Sequence, residues 1–130
     1  MKNEKGFTAI ELVIFIVILT ILAVFFVLQK IDLDASYADQ QRKVSINAMY
    51  YSLTDVYYVE HGYYPSEIEK DTLKAIDPEL LYDVFGTPIY ESGSEYIYQG
   101  LACNGSGQCE NFKLTAQLEK EADFVKESSK

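Results

Sequence analysis

Residues 7–28 read FTAIELVIFIVILTILAVFFVL, an apolar run whose only charge is Glu11. Nothing else constrains the fold as much, because these twenty-two residues contain no glycine and no proline. As a helix rising about 1.5 Å per residue the run spans about 33 Å, enough to cross the hydrocarbon core of a bilayer. Thr20 is cheap there, since its hydroxyl can return to a carbonyl one turn back. A secretory signal would end in a small-residue cleavage site, whereas Gln29-Lys30-Ile31-Asp32 offers none. The run is therefore read as a retained membrane span. Ahead of it, residues 1–6 carry Lys2 and Lys5 against Glu4. Short basic flanks stay cytoplasmic, which places everything from Gln29 onward outside the cytoplasmic membrane.

Glu11 needs a reason. An ionised carboxylate near the middle of a membrane helix costs about 2.5 kcal/mol or more. It follows closely on Gly6-Phe7, the end of the basic leader. Together these read as a precursor cut between Gly6 and Phe7. The freed Phe7 amine would be positive, and burying it alone is as costly as burying Glu11 alone. Pairing the two across neighbouring subunits lowers both costs and sets an axial register. The alternative is that Glu11 snorkels to the cytoplasmic interface as an anchor.

The string Gly6-Phe7-Thr8-Ala9-Ile10-Glu11 resembles the processing site of the type IV pilin superfamily, which includes the pseudopilins of secretion and DNA-uptake machines. Residues 5–28 carry the resemblance: the Gly/Phe junction, the glutamate at the fifth position counted from Phe7, and the apolar run. It implies cleavage after Gly6 by a membrane aspartic protease, N-methylation of Phe7, and an assembly role for Glu11. It implies a homo-oligomeric helical filament, served by a prepilin peptidase/methyltransferase, an assembly ATPase and a membrane platform protein. Before assembly the partner would be membrane lipid. Many major pilins carry glycine or proline inside this helix, and residues 7–28 carry neither, which tips slightly toward a pseudopilin, while the high tyrosine content and the cysteine loop tip back toward an exposed pilus. Weaker resemblance continues through a long helix, a β-rich C-terminal part and a late cysteine pair.

The remaining residues agree with one small exported domain behind an anchor. Residues 29–130 hold 9 basic and 18 acidic side chains, so the whole net charge of −9 lies there. That balance argues against direct nucleic-acid binding by a lone subunit. Cys103 and Cys109 enclose Asn104-Gly105-Ser106-Gly107-Gln108. On an exported domain such a pair reads as a disulfide, worth roughly 2 kcal/mol by chain-entropy reasoning. A metal site and free thiols are the rival readings, and a metal would need about four ligands. The chain has one histidine, His61, and no Gly-rich phosphate loop or nucleophile motif. No enzyme, catalytic residue, metal or cofactor is expected.

The helix should continue past Leu28, since residues 29–61 lack glycine and proline and Gly62 supplies a stop. Ile46, Met49, Tyr50, Leu53, Val56 and Tyr57 follow helical spacing as an inward face. Asp32, Asp34, Asp39, Arg42 and Lys43 are expected to mark a solvated middle. Ser66 and Glu69 suggest a capping box opening a short helix over 67–76. Strands are expected at Ile89-Tyr90, at 95–99, at 111–118 and at Phe124-Val125. In the strand over 111–118, Phe112, Leu114, Ala116 and Leu118 face one way. The eleven tyrosines include the pairs Tyr50-Tyr51, Tyr57-Tyr58 and Tyr63-Tyr64. Ordinary core packing is favoured for Tyr50 and Tyr57, and interface use is about even for the others.

The expected fold is α+β and pilin-like: a long N-terminal helix, membrane-spanning in its first half, packed by its second half on a small antiparallel β-sheet. The expected divisions are a leader over 1–6, a membrane or filament-core helix over 7–28, a soluble helix half over 29–62, and a globular part over 63–130. The expected function is that of a filament subunit for adhesion, motility or DNA uptake, inserted once in the cytoplasmic membrane and then displayed in an extracellular pilus. A pseudopilin of a secretion or competence system is the alternative. A less favoured alternative is an unprocessed, membrane-anchored binding domain.

Overall fold

The computed structural model describes residues 7–128. Gly6, and with it half of the expected cleavage junction, lies outside the described residues. Helix α1 runs over Ala9–Tyr51 and passes into a π-helical segment, Ser52–Tyr57, then a last turn, α2, over Tyr58–His61. Strands follow at Tyr64–Pro65 (β1), Tyr96–Cys103 (β2), Gln108–Ala116 (β3) and Phe124–Glu127 (β4). The fold is α+β. The chain forms two units, one ending at Ala35 and one beginning at Ser36.

In the first unit every described residue from Phe7 to Asp34 is exposed. The helix over Ala9–His61 is long and apolar enough to cross a membrane, by length and composition. Thr20 donates its hydroxyl to Val17 O at 2.8 Å, which satisfies it inside its own helix.

In the second unit the helix packs against one face of a four-stranded antiparallel sheet. Strand β3 is central. It pairs with β2 along one edge, while β1 and β4 share the other edge in tandem. Tyr96 lies opposite Ala116, Tyr98 opposite Leu114 and Gly100 opposite Phe112. Phe112, Leu114 and Ala116 are fully buried, as the period-2 alternation in β3 requires. They meet Ile46, Met49 and Leu53, which are also fully buried. Tyr98 lies over Phe112 and donates its hydroxyl to Pro65 O at 2.6 Å, tying β2 to β1 across β3.

The helix face changes phase at the π-helical segment. Tyr58 N–H donates to Leu53 O, five residues back. One extra residue in that turn carries Tyr58 rather than Tyr57 against the core, and leaves Val56 36% exposed. Tyr57 instead stacks on His61 at 4.2 Å. Gly62, at φ 78°, ends the helix with its N–H on Tyr58 O, the stop expected from glycine after the last turn.

Two local expectations fail. Residues 67–76 form turns, not a helix. The Glu69 N–H that a capping box would give to Ser66 goes to Thr72 Oγ1 at 2.8 Å, and Ser66 N–H continues the sheet by bonding Gly107 O. Ile68 and Leu73 are both buried five residues apart, a spacing an α-helix does not place on one face. Ile89-Tyr90 is a turn, and the extended contact there is a single bridge between Tyr82 and Pro88. Proline at 88 leaves no donor to extend it.

Candidate assembly site

The first turn of α1 builds a small polar site on an apolar rod. Thr8 precedes the helix and Glu11 lies three residues on. Glu11 Oε2 accepts from Thr8 N–H at 2.8 Å and from Thr8 Oγ1 at 3.0 Å, and Glu11 N–H reaches Thr8 Oγ1 at 3.4 Å. This is a reciprocal capping box, two otherwise orphan helix-end donors satisfied at once. Sequence reasoning passed over it, although the Thr-x-x-Glu pattern is its signature. The carboxylate therefore turns back toward the residue that follows Phe7. Phe7 is 85% exposed. Among the described residues the hydrogen bonds of the Glu11 carboxylate go to Thr8.

Cys103 and Cys109 are bonded to each other, which settles them as a disulfide. They face one another in the β2–β3 register, with Cα atoms 3.8 Å apart. Asn104 closes the turn: its Oδ1 accepts from Ser106 N–H and Gln108 N–H, both at 3.0 Å. Gly100 makes room for the bridge. A Cβ there would stand 2.6 Å from Cys109 Sγ, 3.0 Å from Pro65 O and 3.1 Å from Cys103 Sγ.

Arg42 and Asp39, expected in solvent, are instead 0% and 2% exposed. Arg42 reaches Asp39 Oδ1 at 2.8 Å, Glu95 Oε2 at 2.7 Å and Glu119 Oε1 at 3.0 Å. Asp39 also accepts Glu119 N–H and Lys120 N–H, each at 2.9 Å. Burial acts to raise the Asp39 carboxyl, but those two N–H donors and Arg42 outweigh it and hold it below its ordinary range. Burial likewise opposes the Arg42 charge, and Glu95, Glu119 and Asp39 overcome it, so the guanidinium is held more firmly protonated than usual. Lys43 adds a pair with Glu121 at 2.7 Å. The cluster straps the β3–β4 connection onto α1. It was hidden because burying charges on a helix requires partners far away in sequence.

His61 is a helix-end residue, its Nδ1 2.9 Å from Tyr57 O. Comparison with protein-family models, curated proteins and solved structures finds no match for this chain.

Proposed function

We propose that this chain is a structural subunit of a type IV pilus-like filament. It is made as a single-pass protein of the cytoplasmic membrane with its N-terminus inside. It is then cut after Gly6, N-methylated at Phe7 and polymerised through its apolar helix. The observation that carries the reading is an apolar helix, beginning at Ala9, that is exposed through Asp34, with Glu11 in its first turn shortly after Gly6-Phe7 in the sequence. An apolar surface of that extent needs lipid or other copies of itself. Exchange of lipid for helix contacts carries little hydrophobic gain, so packing and the Glu11–Phe7 amine pairing set the register. The role is mechanical rather than catalytic. The proposed partners are further copies, a prepilin peptidase/methyltransferase, an assembly ATPase and a platform protein. The filament would serve adhesion, motility or DNA uptake.

Two observations favour other readings. The helix passes through residues 9–51 without a break, which suits a pseudopilin of a secretion or competence system. The capping box gives Glu11 a local role, which suits a plain anchored binding domain. Glu11→Ala in the native cell separates the last from the filament readings. The filament account expects normal membrane levels and at least about a tenfold loss of sheared filaments. Unchanged filaments would overturn the role given to Glu11, and absence of filaments from the unaltered chain would favour the anchor.

A further inference from the structure

The tip of the β2–β3 hairpin places an asparagine directly before a glycine, and Asn104, Gly105 and Ser106 are all exposed. Asn104 is held firmly. Its main-chain N–H donates to Gln108 O at 2.9 Å and its main-chain O accepts Gly107 N–H at 3.1 Å. Its Nδ2 donates to Gln108 Oε1 at 3.1 Å, which points the amide oxygen the other way. There Oδ1 accepts from Ser106 N–H and Gln108 N–H, both at 3.0 Å. Two fixed donors on one carbonyl oxygen polarise Cγ and stabilise the negative charge that gathers on Oδ1 when Cγ is attacked.

The attacking group is the next atom of the main chain. Among the described residues the Gly105 N–H makes no hydrogen bond. A Cβ built on Gly105 meets nothing within 4 Å, so water reaches this amide. Glycine also brings no side chain to hinder its nitrogen as it closes on Cγ. The other described asparagines lack these features. Asn47 precedes Ala48 inside α1, where the next N–H belongs to the helix ladder. Asn111 precedes Phe112 inside β3, and Ser128 Oγ holds the Phe112 N–H at 2.9 Å.

We propose that Asn104-Gly105 is a site of spontaneous deamidation in the folded chain, which changes the hairpin tip covalently with age. Solvent base removes the Gly105 N–H proton, and the nitrogen attacks Asn104 Cγ. The Gly105 N–Cγ bond forms, the Cγ–Nδ2 bond breaks, and ammonia leaves with a proton from water. The product is a five-membered cyclic imide. Water then opens it at Cγ, giving aspartate, or at the main-chain carbonyl of residue 104, giving isoaspartate. One water enters and one ammonia leaves, with no oxidant or reductant. Either product adds a negative charge to a chain whose net charge is already −9. Aspartate keeps an acceptor for the Ser106 and Gln108 N–H groups. Isoaspartate inserts a carbon into the main chain between the bonded Cys103 and Cys109. It therefore displaces the tip on which β1 rests through Ser66 N–H to Gly107 O.

The experiment incubates the full chain in detergent at neutral pH with its disulfide intact, beside a second sample held unfolded in guanidinium. Peptide mapping reads the mass gain of replacing an amide nitrogen by oxygen and separates the aspartate and isoaspartate products. In the folded chain, conversion at position 104 is expected at no less than about a tenth of the unfolded rate, and at least about tenfold faster than at Asn47 or Asn111. Gly105→Ala is compatible with the turn, since Gly105 has no positive φ and its Cβ would meet nothing. It is expected to slow conversion of the folded chain at least about tenfold. A folded chain that keeps the Asn104 amide while the unfolded chain loses it would overturn the proposal, because the turn would then protect the residue. Conversion at an unchanged rate in Gly105→Ala would overturn it as well, because open approach of the Gly105 nitrogen would then have no part in the reaction.

Discussion

Arg42 sits at 0% exposure with three carboxylates around it. Removing one partner of a buried charge cluster leaves the others uncompensated, a cost of about 3 kcal/mol or more. Arg42→Ala is therefore expected to lower the unfolding free energy by about that amount, measured by denaturant titration in detergent. A loss under about 1 kcal/mol would mean that the cluster contributes no more than a surface pair. The pH dependence has a definite sign. Asp39 is held below its ordinary pKa in the folded chain. Its contribution is complete above the ordinary carboxylate value of about 3.9, and is lost as pH falls through the lower folded value. Stability should thus fall on acidification below that range, and Asp39→Asn should flatten part of the slope. Neither residue announces its burial locally. Asp39, Arg42 and Lys43 read as a charged helix face until Glu95, Glu119 and Glu121 arrive from the sheet side.

The β2–β3 hairpin is the element where local chemistry and packing meet most tightly. Cys103→Ser with Cys109→Ser is expected to lower stability by roughly 2 kcal/mol, the value for closing so short a loop. Gly100→Ala should be damaging although alanine suits a strand no worse than glycine. Its Cβ would meet Cys109 Sγ at 2.6 Å and the Pro65 carbonyl at 3.0 Å. Overpacking of that kind costs about 1–3 kcal/mol, readable as a lowered midpoint with the thiols still oxidised. Strand β3 was legible because Phe112, Leu114 and Ala116 alternate with Lys113 and Thr115, and the helix stop was legible because Gly62 follows His61. The π-helical turn was not. Its cue is a one-residue delay between Leu53 and Tyr58, which helical periodicity absorbs as noise. The turns over 67–76 were misread because Ser66 and Glu69 carry a capping pattern, while Thr72 supplies the acceptor that takes the Glu69 N–H.

At the scale of the whole molecule, one chain joins an exposed apolar helix to a folded α+β unit with its own core. The helix and the cysteine pair were readable from residues alone, since length, apolarity and loop spacing are local properties. The Thr8–Glu11 capping box adds a consequence. The carboxylate is satisfied within its own chain, so on the proposed filament reading it would stay paired until a neighbour's amine replaced Thr8. On the proposed filament reading, processing at Gly6-Phe7 would create that amine, and polymerisation through the helix would use it. The most direct measurement is the intact mass of the protein in sheared cell-surface material, with its N-terminal peptide sequenced. The account expects a chain lacking residues 1–6, N-methylated at Phe7 and recovered in filaments. Unprocessed chain, confined to membranes, would contradict it.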